Sequence, residues 1–127
     1  MTWELYDRIT LRNERVPDAD ADRQLHTAAE ILRRFASQPG IILADEVGMG
    51  KTYVALAVAV SVVEATRRQH PVVVMVPTSV ATKWPLEWSV FADRTGPMLK
   101  WGSSRGDSYP SPIPGASLSG SSPRRRP

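Results

Sequence analysis

The chain of 127 residues contains no cysteine and two histidines. The lack of cysteine excludes disulfides and thiolate metal sites, and His26 and His70 are too far apart in sequence to suggest a zinc site. Long hydrophobic runs are also missing. The longest helical one, Tyr53 to Val63, is too short to span a bilayer, and no apolar leader opens the chain. We therefore expect a soluble, cytoplasmic protein with no membrane partner.

A net basic field is missing from most of the chain. Residues 1–100 contain 12 Lys and Arg against 12 Asp and Glu, so the formal charge of +3 arises after residue 100. It comes from Arg105 and residues 124–126 against Asp107. Composition alone therefore gives no long-range attraction to nucleic acid, although it leaves room for a local basic patch.

The most informative stretch is IILADEVGMGKT at residues 41–52, four apolar residues followed by a glycine-rich turn. Gly48 and Gly50 allow the backbone to close around an anion at the start of the next helix. Lys51 would contact the β- and γ-phosphates of ATP, and the Thr52 hydroxyl would bind Mg²⁺. The predicted nucleotide-binding residues are Val47, Gly48, Met49, Gly50, Lys51 and Thr52. The alternative is a glycine turn before a helix that happens to carry Lys-Thr.

The order of helical and β-branched segments predicts an α/β fold with a parallel βαβ core. Apolar residues at helical spacing predict an amphipathic helix that ends near residue 37, followed by a strand at 41–44. The next helix, about 51–69, is apolar on almost every face and must be covered on more than one side. The run PVVVMVP at 71–77 is typical of a central parallel strand, joined by a right-handed crossover.

A further helix is predicted through about Phe91. Thr78 or Ser79 would cap it, and Pro85 predicts a kink or a restart. Trp84 and Trp88 share one face of this helix, and their spacing favours packing against a core over stacking on bases.

The string ADEVGMGKT at residues 44–52 resembles motif I of the Swi/Snf-type branch of superfamily-two helicase-like ATPases. It is most similar to bacterial members. The general P-loop pattern would place a glycine where Asp45 stands, but in this branch an Asp-Glu pair precedes the glycines. The resemblance covers roughly Gln24 to Phe91. It implies a partial RecA-like P-loop NTPase lobe, the ATP-binding front part of the first motor lobe of a DNA-dependent ATPase.

The same resemblance suggests two further sets of site residues. Residues 76–79, together with Lys83-Trp84 and Glu87, look like motif Ia and its flank. Thr78, Ser79 and Lys83 would then contact the backbone of double-stranded DNA or another nucleic acid. Gln24 lies where related helicases use a glutamine to read adenine, and its amide can both donate and accept. An exposed helical glutamine is an equal alternative.

Three segments are expected: residues 1–17, for which the sequence decides no structure, a partial ATP-binding lobe at 18–101, and a disordered tail at 102–127. Ser, Gly and Pro make up 17 of the 26 tail residues. No second Asp-Glu-x-x motif follows the P-loop, and no second lobe is encoded. We therefore expect a truncated product, a gene fragment or a shifted reading frame, with a missing second lobe or partner chain.

Such a chain would bind ATP without hydrolysing it. The alternatives are a small P-loop protein of another class, such as a kinase or a partition-type ATPase, and a non-catalytic relic or interaction protein.

Overall fold

A computed structural model describes residues 3–12, 14, 16–44 and 50–95. The described part contains three α-helices, which are α1 (Asp18–Arg34), α2 (Lys51–Ala65) and α3 (Lys83–Thr95). A short 3₁₀ helix, Thr78–Val80, precedes α3. Helix α2 lies at the centre and contacts both α1 and α3. None of these helices is long and apolar enough to cross a membrane.

Helix α1 follows the predicted amphipathic pattern. Its buried residues fall on one stripe, formed by Ala21, Gln24, Ala28 and Leu32. Asp18 and Asp20 lie in the first turn, and Arg33 and Arg34 lie in the last turn. Each charge therefore complements the helix dipole. The N-cap is Pro17, and its carbonyl accepts the N–H groups of residues 20 and 21 at 3.0 and 3.1 Å.

An ion-pair cluster stabilises the C-terminal end of α1. Glu30 accepts hydrogen bonds from Arg33 at 2.7 and 2.8 Å and from Arg34 at 2.7 Å. These bonds, that of Arg33 foremost, lower the pKa of Glu30 to about 2. Because the pKa of Glu30 is lowered in the folded state, its ion pairs stabilise that state at pH values above the ordinary carboxyl pKa. This stabilisation is lost as the pH falls toward 2. The cluster is exposed, so its contribution is small.

Helix α2 is covered on several sides, as its apolar sequence predicts. Helix α1 packs on one side and α3 on another. The buried residues are Val54, Leu56, Ala57, Val60, Ser61 and Val63. The chain turns sharply after the helix, because Arg67 and Arg68 both adopt left-handed backbone conformations with φ of 54° and 59°. The Arg68 N–H closes the end by donating to the Val63 carbonyl at 2.9 Å.

Helix α3 begins at Lys83, two residues before Pro85. Proline is tolerated there because the first turn of a helix has no internal acceptor for that N–H. Trp88 and Phe91 are 7% and 1% exposed and stack with ring centroids 6.0 Å apart. Trp84 is half-buried against the same core. The packing interpretation of the two tryptophans is therefore confirmed.

The N-terminal residues form an irregular segment with a turn at residues 7–8, and they belong to the core. Ile9 and Leu11 are buried with the residues of α2 and α3. The Tyr6 N–H donates to the Ser61 hydroxyl at 3.0 Å. Arg12 forms an ion pair with Asp22 at 3.0 Å, and its carbonyl accepts a hydrogen bond from Arg94 at 2.9 Å. This segment therefore ties the three helices together.

Replacing Ser61 by alanine should lower the free energy of unfolding by about 1–3 kcal/mol, because the half-buried Tyr6 N–H would lose this acceptor. The Ser61 hydroxyl also donates to the Ala57 carbonyl at 2.8 Å. Thr27 makes the same local bond, to Arg23 at 2.9 Å, without serving as an acceptor in any hydrogen bond described. Thr27→Ala is thus the matched control, and urea denaturation of both variants measures the difference. If both variants lose the same unfolding free energy, the Tyr6 contact contributes no stability.

The predicted parallel βαβ core is wrong. No strand or sheet occurs within residues 3–12, 14, 16–44 and 50–95. Residues 41–44 and 71–77, the two predicted strands, have no regular secondary structure in this part of the chain. Ile42, Val73 and Met75 are 92%, 77% and 89% exposed. The partial RecA-like α/β lobe and its right-handed crossover are therefore replaced by a helical arrangement of three helices and an N-terminal segment.

The physical reason is that β-branched residues favour a strand without supplying its partner. A central strand needs neighbours that accept its N–H groups and donate to its carbonyls on both sides. The sequence offers two short apolar runs, which is too few to satisfy both edges. Helix α2 finds its coverage in α1, α3 and the N-terminal segment instead. The predicted tail at 102–127 lies outside the described residues.

Candidate functional site

Gly50 sets the start of α2. Gly50 is the N-cap and adopts a left-handed conformation, with φ of 79° and ψ of 27°. Its carbonyl accepts the N–H groups of Tyr53 and Val54 at 3.1 and 3.2 Å. The helix therefore starts immediately after a residue that favours glycine. The first-turn N–H groups carry the positive end of the helix dipole.

Two of the predicted phosphate and metal residues lie in this first turn. Lys51 and Thr52 are the first two residues of α2, and both are partly exposed. A lysine and a threonine thus lie beside the helix N-terminus. Val47, Gly48 and Met49, the other predicted residues of the loop, lie outside the described residues.

Gln24 reaches the same place from α1. It is 4% exposed, so the alternative of an exposed helical glutamine is wrong. Its side chain lies directly against Gly50: a Cβ added to Gly50 would come within 2.7 Å of the Gln24 Cδ and would clash with Nε2. The Gln24 Oε1 is buried and has no hydrogen-bond partner among the described residues. A polar group with unused bonding capacity therefore lies at the start of α2.

The sequence contains a signal for this contact, although the prediction did not use it. Gln24 lies on the same stripe of α1 as Ala21 and Ala28, both of which are fully buried. A residue at that spacing must face the core. A buried amide among alanines needs a polar partner. The stripe thus indicates burial, while the identity of the partner depends on how α1 packs on α2.

The donor set suits magnesium that arrives with a nucleotide. The part of the chain described by the structure contains no group of three or more His, Cys, Asp or Glu able to hold a metal ion. Mg²⁺ usually keeps several waters and is held by phosphates together with one or two protein oxygens. The Thr52 hydroxyl can supply one such oxygen. The described residues therefore fit a metal shared with a nucleotide rather than a protein cage.

The predicted nucleic-acid residues form a separate exposed region. Thr78 and Ser79 lie in the 3₁₀ helix, whose N-cap is Pro77 and which has no side-chain cap. The expectation that Thr78 or Ser79 caps the next helix is wrong, because α3 begins at Lys83. The Lys83 Nζ lies 3.8 Å from the Glu87 carboxylate, and its side chain is 64% exposed. This region carries one lysine whose charge is partly balanced by its neighbour.

Comparison with known proteins gives the family. Residues 11–106 match the SNF2-related domain. The chain is 34% identical over 71 residues to the SWI/SNF chromatin-remodeling complex subunit snf22 of Schizosaccharomyces pombe, which covers 56% of this chain and 4% of that protein. It is 39% identical over 51 residues to the chromatin structure-remodeling complex subunit snf21 of the same organism, covering 40% and 4%.

A mouse relative is similar over a comparable part of the chain. The chain is 35% identical over 69 residues to the Chromodomain-helicase-DNA-binding protein 1-like of Mus musculus, covering 54% of this chain and 8% of that protein. The chain thus spans less than a tenth of the length of these relatives. No solved structure matches it. The family match covers most of the chain and includes α1, α2 and α3. The chain therefore belongs to the SNF2-related domain family.

Proposed function

We propose that this chain binds ATP with Mg²⁺ at the start of α2, as the front part of the first motor lobe of a Swi/Snf-type DNA-dependent ATPase. One observation carries the proposal. Gly50 begins α2 in a left-handed conformation, and Lys51 and Thr52 follow in the first turn. Glycine at a helix start followed by Lys-Thr is the arrangement that holds phosphates and their magnesium.

The roles divide by chemistry. The N–H groups of the first turn of α2 hold phosphate oxygens, and the Lys51 ammonium neutralises their charge. The Thr52 hydroxyl binds Mg²⁺. The Gln24 Oε1, buried and without a described partner, accepts a hydrogen bond from the bound nucleotide or from the loop that holds it. The proposal concerns the binding of ATP and Mg²⁺ by these residues and does not include hydrolysis.

The nucleic-acid role is the second half of the proposal. The names of the relatives refer to chromatin remodelling and to DNA binding. Thr78, Ser79 and Lys83 are exposed, and their hydroxyls and ammonium suit phosphate oxygens. The ion pair of Lys83 with Glu87 reduces the charge available, so we propose weak, salt-sensitive contact with the nucleic-acid backbone.

Two lysines allow a reciprocal test, because each lies at the first residue of a helix: Lys51 in α2 and Lys83 in α3. Calorimetry should show Mg²⁺-dependent ATP binding that weakens about tenfold or more in Lys51→Ala, since one lost charged contact is worth about 1.5–3 kcal/mol. Lys83→Ala should bind ATP as the parent chain does. In fluorescence anisotropy with a DNA duplex, Lys83→Ala should weaken DNA binding and Lys51→Ala should bind DNA as the parent chain does.

Each result has a definite meaning. Equal ATP binding by the parent chain and Lys51→Ala would refute the role of Lys51, and no ATP binding by the parent chain would favour a non-catalytic protein. DNA-stimulated phosphate release above the Lys51→Ala background would refute the inability to hydrolyse ATP.

A further inference from the structure

The turn that closes α2 holds two arginines in a backbone conformation that suits glycine. In the part of the chain that the structure describes, Arg67 and Arg68 are the residues other than glycine with positive φ, at 54° and 59°. This conformation brings a Cβ close to the following carbonyl oxygen, so each arginine is strained there. Residues in strained positions are concentrated at functional sites. What an arginine offers at this turn, and a glycine would not, is a positive charge at the surface.

The backbone of the turn is already occupied. The N–H groups of both arginines close the helix by donating to the carbonyls of Glu64 and Val63, at 3.0 and 2.9 Å. The next N–H, that of Gln69, donates to the Thr66 carbonyl at 3.1 Å. The turn therefore offers no row of free N–H groups that would cradle a single small anion. A ligand at this turn must be bound by the side chains.

The two side chains leave different amounts of charge available. The Arg68 Nε lies 2.9 Å from the Glu64 carboxylate, and this ion pair balances part of the Arg68 charge. Arg67 is exposed, and its side chain has no ion pair or hydrogen bond within residues 3–12, 14, 16–44 and 50–95. Arg67 is therefore the main positive charge of the turn.

The turn lies at the start of the longest stretch of the chain without a carboxylate. Residues 65–86 contain no Asp or Glu, and their three cations are Arg67, Arg68 and Lys83. A glutamate stands immediately before this stretch and another immediately after it, and each is paired with a cation of the stretch. Within the stretch itself, a negatively charged polymer would meet no acidic residue.

We propose that Arg67, with Arg68 beside it, contacts the phosphate backbone of a nucleic acid. This contact adds to the one proposed for Thr78, Ser79 and Lys83, and it rests on the nucleic-acid half of the proposed function. Guanidinium groups bind phosphate oxygens through paired N–H donors. Cations at both ends of an acid-free stretch suit a ligand whose negative charge repeats.

The contact is separate from the candidate phosphate site at the start of α2. Helix α2 has 15 residues, and a rise of about 1.5 Å per residue places its two ends roughly 22 Å apart. Substitutions at Arg67 should therefore leave ATP binding unchanged.

Replacing Arg67 by glycine should move stability and DNA binding in opposite directions. Glycine adopts the left-handed conformation without strain, so the urea midpoint of the full chain should rise. Loss of one phosphate contact should weaken binding to a DNA duplex and make the slope of log K against log salt concentration shallower by about 0.9. Fluorescence anisotropy across a salt series measures that slope. Arg67→Lys keeps both the charge and the strain, so its slope and midpoint should match those of the parent chain.

Arg8→Gly is the matched control. Arg8 is also an exposed arginine in a turn, and its φ is not positive. The variant removes the same formal charge without relieving strain, so the salt slope should stay unchanged and the urea midpoint should not rise. Equal changes of slope in Arg8→Gly and Arg67→Gly would report net charge alone and would overturn the proposal.

The remaining outcomes are equally definite. An unchanged salt slope in Arg67→Gly overturns the contact, and a lower urea midpoint would then assign Arg67 to closing α2. If Lys83→Ala weakens DNA binding and Arg67→Gly does not, this contact alone is refuted, and the reverse pattern refutes the contact at Lys83 alone. A parent chain that does not bind the duplex overturns both. If Arg67→Gly loses binding to phosphatidylserine vesicles and keeps DNA binding, the partner is an anionic membrane surface and the nucleic-acid contact is wrong.

Discussion

Truncating Phe91 to alanine should lower the free energy of unfolding by about 3–5 kcal/mol, the usual cost of removing a buried phenyl ring. Phe91 is 1% exposed and is among the largest fully buried side chains described. It stacks on Trp88 and lines a small cavity with Leu11 and Tyr53. The ring therefore joins α3, α2 and the N-terminal segment. Its loss leaves a void at the point where the three elements meet.

The size of that loss matters because small domains have little stability to spare. A total of about 5–15 kcal/mol is typical, and a chain of this length lies toward the low end. Urea denaturation followed by circular dichroism should show a large fall in the midpoint for Phe91→Ala. Leu86→Ala is the control on the same helix, since Leu86 is 69% exposed and should change stability by less than about 0.5 kcal/mol. Similar midpoints for the two variants would contradict the assigned core.

The helices could be predicted from the sequence because their signals are local. The stripe of α1 repeats every three or four residues, and its ends carry charges that suit the helix dipole. Helix α2 is apolar on nearly all faces, and that predicted its burial on several sides. Trp88 lay at core spacing and is in the core. Each of these inferences used residues within one or two turns.

The strands could not be predicted in the same way, because a strand depends on partners distant in sequence. Residues 71–77 have the composition of a buried strand, and yet Met75 is 89% exposed. The N-terminal segment shows the converse. Its sequence decided no structure, but Ile9 and Leu11 are buried and the Tyr6 N–H bonds to Ser61. In both cases the outcome depends on which surfaces α2 has left uncovered.

The candidate site likewise contains one feature that the sequence predicted and one that it did not. Glycine followed by Lys-Thr is a local pattern, and α2 starts there as expected. The contact between Gln24 and Gly50 joins two helices, and neither residue predicts the other from sequence alone. That contact limits which residue can occupy position 50, in addition to the left-handed turn. It therefore supplies the sharpest test of the site.

Replacing Gly50 by alanine should reduce ATP binding by at least about tenfold, because the change carries two costs. A left-handed conformation costs a residue with a Cβ about 1–2 kcal/mol, which favours a shift of the helix start away from the geometry that would hold phosphate. A tenfold loss of affinity corresponds to about 1.4 kcal/mol. The new Cβ would also clash with the amide of Gln24, which is 4% exposed. Either the start of α2 or the Gln24 side chain must shift.

A second glycine and a double variant separate the two costs. A Cβ added to Gly40 would meet no atom within 4 Å, and the φ of Gly40 is not positive, so Gly40→Ala should bind ATP normally. Adding Gln24→Ala to Gly50→Ala removes the clash and keeps the backbone strain, so the two changes should not be additive in stability. If the stability change of the double variant equals the sum of the changes in Gly50→Ala and Gln24→Ala, the clash is absent. If Gly50→Ala binds ATP as the parent chain does, the start of α2 is not the phosphate site.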